Sequence, residues 1–310
     1  MEQIESVLIV SVTSAVKITF YTGQGSKSAG SAFLIFSTSV LRAACIYSVE
    51  MQDSSSHTSW ICRHRLIAFF CLAYLLSFYP WIIALLRGRS TGPNPFGPFV
   101  AAIVVAALTG GKSELKTLFA RLVRARVGWR SYAFTFGLPI VVCLAAVAIV
   151  LPVFELRPIL PAVEKFRELP ERFIFILLFI GLGEEPGWRG FALPQLQKNH
   201  SPLIASLILA PLWALWHLPL MGNEFPWSIV PAFLLSLFGA TFLLTWLFNR
   251  TKGSVLLPML FHATVNTVGA GFIFPLFSGG VLLALWYVYG AIWFCAGLAA
   301  IRSDSPRSDR

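Results

Sequence analysis

Seven side chains concentrate the polar chemistry of otherwise apolar stretches. Glu184 and Glu185 are adjacent, and Arg189 lies four residues after Glu185. Trp213 and His217 are four apart, as are His262 and Asn266. A carboxylate, two imidazoles and a carboxamide are the parts needed to activate a water molecule and to stabilise an oxyanion. Taken singly, each has a plainer use, because an intramembrane His or Asn often serves only as a hydrogen bond between helices. Their joint occurrence argues for a site. The other histidines, His57, His64 and His200, lie outside the apolar segments, so both embedded histidines accompany the embedded acid.

The carboxylates follow directly on the run from Phe173 to Ile180. Nine strongly apolar residues between Phe173 and Leu182 favour membrane insertion by roughly 3–5 kcal/mol, whereas one charge at mid-membrane opposes it by about 2.5–3.5 kcal/mol. Three charges outweigh the whole run. The segment is therefore membrane-embedded only if its charges pair, reach water or face protein. Intramembrane ionisable residues of this kind mark functional sites by default.

Helical geometry divides the charges. Glu185 and Arg189 share a face, with the carboxylate on the N-terminal side, the favourable order. Glu184 is about 100° away round the helix. Glu185 is thus expected to be the structural partner of Arg189, and Glu184 the carboxylate left for chemistry. Pro186 lacks a backbone N–H and Gly187 loosens the same turn. A helix broken at membrane depth is tolerated where it lines a wet cavity.

The elements that must position these residues are membrane helices. Of 310 residues, 56% are hydrophobic and only 12% charged, about half the charged share of a soluble domain. The expected fold is all-α, a polytopic transmembrane helix bundle of about eight helices, with spans at 66–86, 96–108, 132–153, 173–196, 203–221, 229–247, 255–274 and 281–301. The second span is short, ends at Gly110 and Gly111, and has a re-entrant segment as its alternative. Residues 60–310 form the helical domain, with the catalytic motifs inside 173–274. Residues 1–59 are rich in Ser and Thr and carry no signal-peptide pattern. Two readings of them stand: an over-read upstream of a start at Met51, or a poorly ordered extension with an interfacial helix around 32–49.

The net charge of +10 does not point to nucleic acid, because basic residues crowd the cytoplasmic loops of membrane proteins. Lys112, Lys116, Arg121, Arg124, Arg126 and Arg130 place the loop after the second span in the cytoplasm. Arg63 and Arg65, Lys198, Arg250 with Lys252, and the tail then fall on the same side. Both termini are expected to be cytoplasmic and the protein multi-pass in the cell membrane, with Arg87 and Arg89 as exceptions. Residues 113–126 read as an amphipathic helix. Its apolar stripe is Leu115, Leu118, Phe119, Leu122 and Val123, and it lies either at the lipid interface or packed on the bundle. The five cysteines, Cys45, Cys62, Cys71, Cys143 and Cys295, show no metal or redox spacing, and Cys71, Cys143 and Cys295 read as free buried thiols.

Glu184-Glu185 followed by Arg189, Trp213 followed by His217, and His262 followed by Asn266, in that order on successive membrane helices, resemble the three signature motifs of the CPBP (Abi) family. This family comprises the type II CAAX prenyl endopeptidases and their bacterial relatives. The resemblance covers roughly 173–274. It implies an intramembrane endopeptidase of glutamate or metal type. Glu184 would be the base that activates water, assisted by His217. His262 and Asn266 would bind the oxyanion, and Glu185 and Arg189 would hold the helix and tune the site. The family commonly has Phe at the position of Trp213, an exchange expected to leave the chemistry untouched while reshaping the pocket.

A zinc variant of the site would use Glu184, His217 and His262 as ligands with water in the open position. No HExxH helix supplies ligands and base together, so metal-free glutamate chemistry is favoured. The resemblance implies a membrane-associated or prenylated protein as substrate, with membrane lipids as the other partner and no nucleic acid. Two other classes fit the same residues: an ion- or proton-coupled transporter with a midplane Glu/His/Arg site, and a catalytically idle membrane scaffold or immunity protein.

Overall fold

The structure is a computed structural model describing residues 8–13, 15–20, 32–33, 56–156 and 163–303. It divides into two compact units, Met1–Ser59 and Trp60–Arg310. Among the described residues the first holds three short antiparallel strands, Leu8–Thr13, Ala15–Phe20 and Ala32–Phe33, paired in sequence order. Ala32 and Phe33 thus pair as strand with Ile18 and Lys17 instead of opening the helix expected around 32–49. The rest of that stretch lies outside the described residues.

The second unit is a helical bundle. After the short helix Ser56–Arg63 come three long ones: α1 (Arg65–Leu86), α2 (Gly97–Leu122) and α3 (Trp129–Val153). A broken segment follows, made of α4 (Leu169–Ile176), α5 (Leu182–Glu185) and α6 (Leu193–Leu196). Wider π-helical turns at Leu177–Gly181 and Pro186–Ala192 join its pieces. Then come α7 (Pro202–Trp216), α8 (Val230–Arg250), α9 (Leu256–Val268) and α10 (Gly279–Ser303).

Among the described residues, six helices are long and apolar enough to cross a membrane: α1, α2, α3, α8, the run Leu256–Leu276 that contains α9, and α10. The other two of the eight expected spans hold Glu184, Glu185, Arg189, Trp213 and His217. Span 173–196 is interrupted by the π turns, and span 203–221 shortens to the 15 residues of α7. Pro219 ends the latter, because a proline cannot continue the backbone hydrogen bonding of the helix.

α2 is longer than its apolar part predicts. It kinks at Gly111, where φ is 59° and ψ −147°, a left-handed setting that glycine adopts without a β-carbon clash. Beyond the kink the expected stripe divides. Leu118 is buried and Leu115 and Leu122 pack on the core, while Phe119 and Val123 are exposed. This turn of helix is therefore held by the bundle and offers only part of its apolar face outward.

The core draws on every long helix. An aromatic chain through Phe233, Trp286, Tyr289, Trp293 and Phe261 links α8, α10 and α9, with neighbouring ring centroids 5.6–6.3 Å apart, within the range of favourable edge and offset contacts. Leu75, Val141, Leu144 and Phe175 point outward, as lipid-facing residues of a membrane bundle must. Cys62, Cys71, Cys143 and Cys295 are free thiols. Cys143 is buried as expected, but Cys71 and Cys295 lie on outward faces. An apolar run alone does not tell a core face from a lipid face.

Candidate active site

The broken segment sets two carboxylates and an arginine at the centre of the bundle. In the π turns the backbone bonds reach five residues back: Leu182 N–H donates to Leu177 O, and Leu193 N–H to Trp188 O. Such widened turns recur at functional sites. The motif is wedged against α2. A β-carbon on Gly187 would lie 2.5 Å from Pro98 Cβ and 2.6 Å from its carbonyl. Arg121 of α2 donates from Nη1 to Gly190 O at 2.6 Å, which ties down the far end of the motif.

Gly187→Ala is therefore expected to destabilise the protein by about 1–3 kcal/mol, the usual range for overpacking. Gly190→Ala should disturb less, because its nearest neighbours are the side-chain ends of Leu118 and Val255 at 3.0 and 3.3 Å. Thermal unfolding of both variants checks the order, and a greater loss for Gly190→Ala would contradict the wedge.

The two carboxylates have separate partners. Arg189 Nη1 donates to Glu185 Oε1 at 3.0 Å, the expected pair. His262 Nδ1 lies 2.8 Å from the same oxygen. Glu184 Oε2 instead accepts the indole N–H of Trp213 at 2.8 Å. His217 Nδ1 lies 2.8 Å from the carbonyl of Trp213. Glu185 and Arg189 are wholly buried and Glu184 is 2% exposed.

Trp213 is the hub of this cluster. The guanidinium carbon of Arg189 stands 4.1 Å from its ring centroid, a close cation–π contact. The rings of His217 and His262 lie 5.5 and 5.7 Å from it. The ring of Phe233, from α8, lies 5.3 Å from that of His217.

These partners assign the histidine protons. A carbonyl and a carboxylate only accept, so Nδ1 carries a proton in both His217 and His262, and Nε2 is left as the acceptor of each neutral ring. Glu185 Oε2, Arg189 Nε and Arg189 Nη2 are buried without a hydrogen-bond partner among the described residues. Asn266, one turn beyond His262 in α9, is half-buried and makes none of the hydrogen bonds that tie the other six residues together.

Residues 168–268 match the Rce1-like family, described as type II CAAX prenyl endopeptidase Rce1-like. This stretch is similar to the CAAX prenyl endopeptidases. A protein named CAAX prenyl protease 2, from Methanococcus maripaludis, is 32% identical over 102 residues. That match covers 30% of this chain and 38% of the relative's length. All seven candidate residues fall within the matched segment.

One expectation changes on this geometry. Trp213 does not stand aside from the candidate base, since its indole N–H reaches Glu184, a bond that phenylalanine cannot make. Among the described residues no group of three or more His, Cys, Asp or Glu side chains is placed to hold a metal ion. Glu184 is turned to Trp213, and His262 Nδ1 to Glu185.

Sequence reasoning also missed two supports of the site. Arg121 and Phe233 come from helices outside the motifs, and nothing in their local sequence distinguishes them from loop and core residues. The signal for Trp213 was available: a buried indole N–H seeks an acceptor, and the apolar helices offer few.

Proposed function

We propose that this protein is an intramembrane endopeptidase of the CAAX type, which hydrolyses a peptide bond of a membrane-associated, prenylated protein with a water activated by Glu184. The observation that carries this reading is the buried division of labour between the carboxylates. Glu185 neutralises Arg189 and anchors His262, while Glu184 has one oxygen on Trp213 and its other free to take a proton from water. Holding the base in place before the reaction is what effective general-base catalysis requires.

In this mechanism the water attacks the scissile carbonyl as Glu184 removes its proton. The oxyanion that forms is met by His262 through Nε2 and by Asn266 from the next turn of α9. For His262 to donate from Nε2 it must carry both ring protons, and Glu185, bonded to its Nδ1, balances that charge. His217, held through Nδ1 on the carbonyl of Trp213, keeps Nε2 as an acceptor and helps to move the proton to the leaving amine. The unpaired donors of Arg189 support a site held for a substrate rather than for the fold. Both termini lie in the cytoplasm under the distribution of basic residues.

The test is cleavage of matched prenylated and unprenylated peptides by the purified protein in lipid nanodiscs, with and without a zinc chelator. New C-termini from the prenylated peptide, unchanged by chelator, are expected. Cleavage abolished by the chelator and restored by zinc would replace the metal-free mechanism. Absence of cleavage of every peptide would count against the CAAX-type substrate.

Trp213→Phe keeps an aromatic face under Arg189 but removes the N–H on Glu184 together with part of the indole ring. A hydrogen bond to a charged group contributes about 1.5–3 kcal/mol, so kcat should fall about tenfold or more while KM stays near the wild-type value. A rise in KM with kcat unchanged would assign Trp213 to substrate binding instead.

A further inference from the structure

Away from the candidate site, α2, the turn after α6 and the turn after α8 enclose an open cavity of about 660 Å³. Lys116, Arg121, Arg124, Lys198 and Lys252 line it, with Pro194 and Phe248 as apolar walls. No carboxylate lines it. None of the five cations makes an ion pair among the described residues. The nearby acid, Glu114, is engaged by Arg65 and Gln195.

The cavity is built, not a chance meeting of loose side chains. Arg121 is half-buried, held to Gly190 O and lying 5.9 Å from the Phe248 ring centroid. Arg124 donates to Lys252 O. The backbones of the two arginines are fixed in turn: Val255 N–H donates to Arg121 O at 2.9 Å, and Ser254 Oγ to Arg124 O at 2.7 Å. Three segments far apart in the chain thus hold their charges round one space. Like charges gathered without counter-charges repel one another unless an anion joins them.

We propose that this cavity binds a phosphate-bearing anion, either the headgroup of an anionic lipid or a free phosphate. The three segments are the basic loops assigned to one side of the membrane by their charge, where anionic headgroups lie within reach. The apolar walls suit a ligand that continues into the bilayer. The proposal does not depend on the catalytic reading.

The test compares two charge-matched double variants at exposed positions. Lys116→Gln with Lys198→Gln removes two charges from the cavity. Lys112→Gln with Arg126→Gln removes two from the same face outside it. Wild type and both variants are placed in phosphatidylcholine nanodiscs with and without phosphatidylglycerol, and lipid retention is titrated by native mass spectrometry. Pyrophosphate binding to protein in phosphatidylcholine nanodiscs is measured by calorimetry.

The cavity variant should lose about thirty-fold in affinity, and the control less than about threefold. That pattern with phosphatidylglycerol alone identifies a lipid headgroup. The same pattern with pyrophosphate alone identifies a free phosphate, and with both ligands it identifies a site for the shared group. Equal losses in the two variants would show only diffuse attraction to a basic face and would overturn the site. Absence of binding of either ligand by the wild type would overturn it as well.

Discussion

Glu184→Gln is expected to lower the rate of peptide cleavage by about 10²–10⁴-fold, the contribution of a positioned general base, while leaving the bundle intact. The carboxamide keeps the size of the side chain and an oxygen that accepts the Trp213 N–H, so the hydrogen bond at 2.8 Å has a neutral substitute. What is lost is the ability to take a proton from water. Thermal unfolding close to wild type, together with loss of turnover, separates this outcome from misfolding. A Glu184→Gln protein that cleaves at the wild-type rate would remove Glu184 from the chemistry and leave it as a packing residue.

The second large effect concerns stability. Glu185 and Arg189 have no exposure to solvent, and one carboxylate oxygen receives both Arg189 and His262. Glu185→Gln strands a guanidinium and Arg189→Met strands a carboxylate. Breaking a buried pair from one side costs about 3–5 kcal/mol. The double variant removes both charges and is expected to be more stable than either single one, a coupling that a double-mutant cycle measures directly. Single variants that unfold within about 1 kcal/mol of wild type would mean that the pair is hydrated, contrary to its burial. The double variant should remain inactive, because His262 then lacks its anionic partner.

Much of this was legible in the sequence because it is local. The spacing of Glu185 and Arg189 put them on one face, and they pair. The apolar runs gave the membrane helices, and Pro186 with Gly187 marked the place where the backbone departs from α-geometry. Chain-distant relations were not legible. His262 meets Glu185 across 77 residues of sequence, and Arg121 reaches Gly190 across 69; no local pattern encodes either. The exchange of phenylalanine for Trp213 looked like a change of shape because ring size was weighed and the N–H was not. The shortened α7 and the π turn at Leu177–Gly181 escaped, since hydropathy counts apolar residues but not the changes of backbone geometry that interrupt them. The outward faces of Cys71 and Cys295 show the same limit: in a bundle that meets lipid, apolar composition is the same inside and out.

The most direct measurement is cleavage of a prenylated peptide by the nanodisc-embedded protein in water enriched in oxygen-18, with mass analysis of the new C-terminus. One heavy oxygen in the released carboxylate, formed by the wild type and not by Glu184→Gln, is the predicted result. A new C-terminus formed equally well by Glu184→Gln would contradict the assignment of Glu184 as the base. A product without the heavy oxygen would contradict hydrolysis by water.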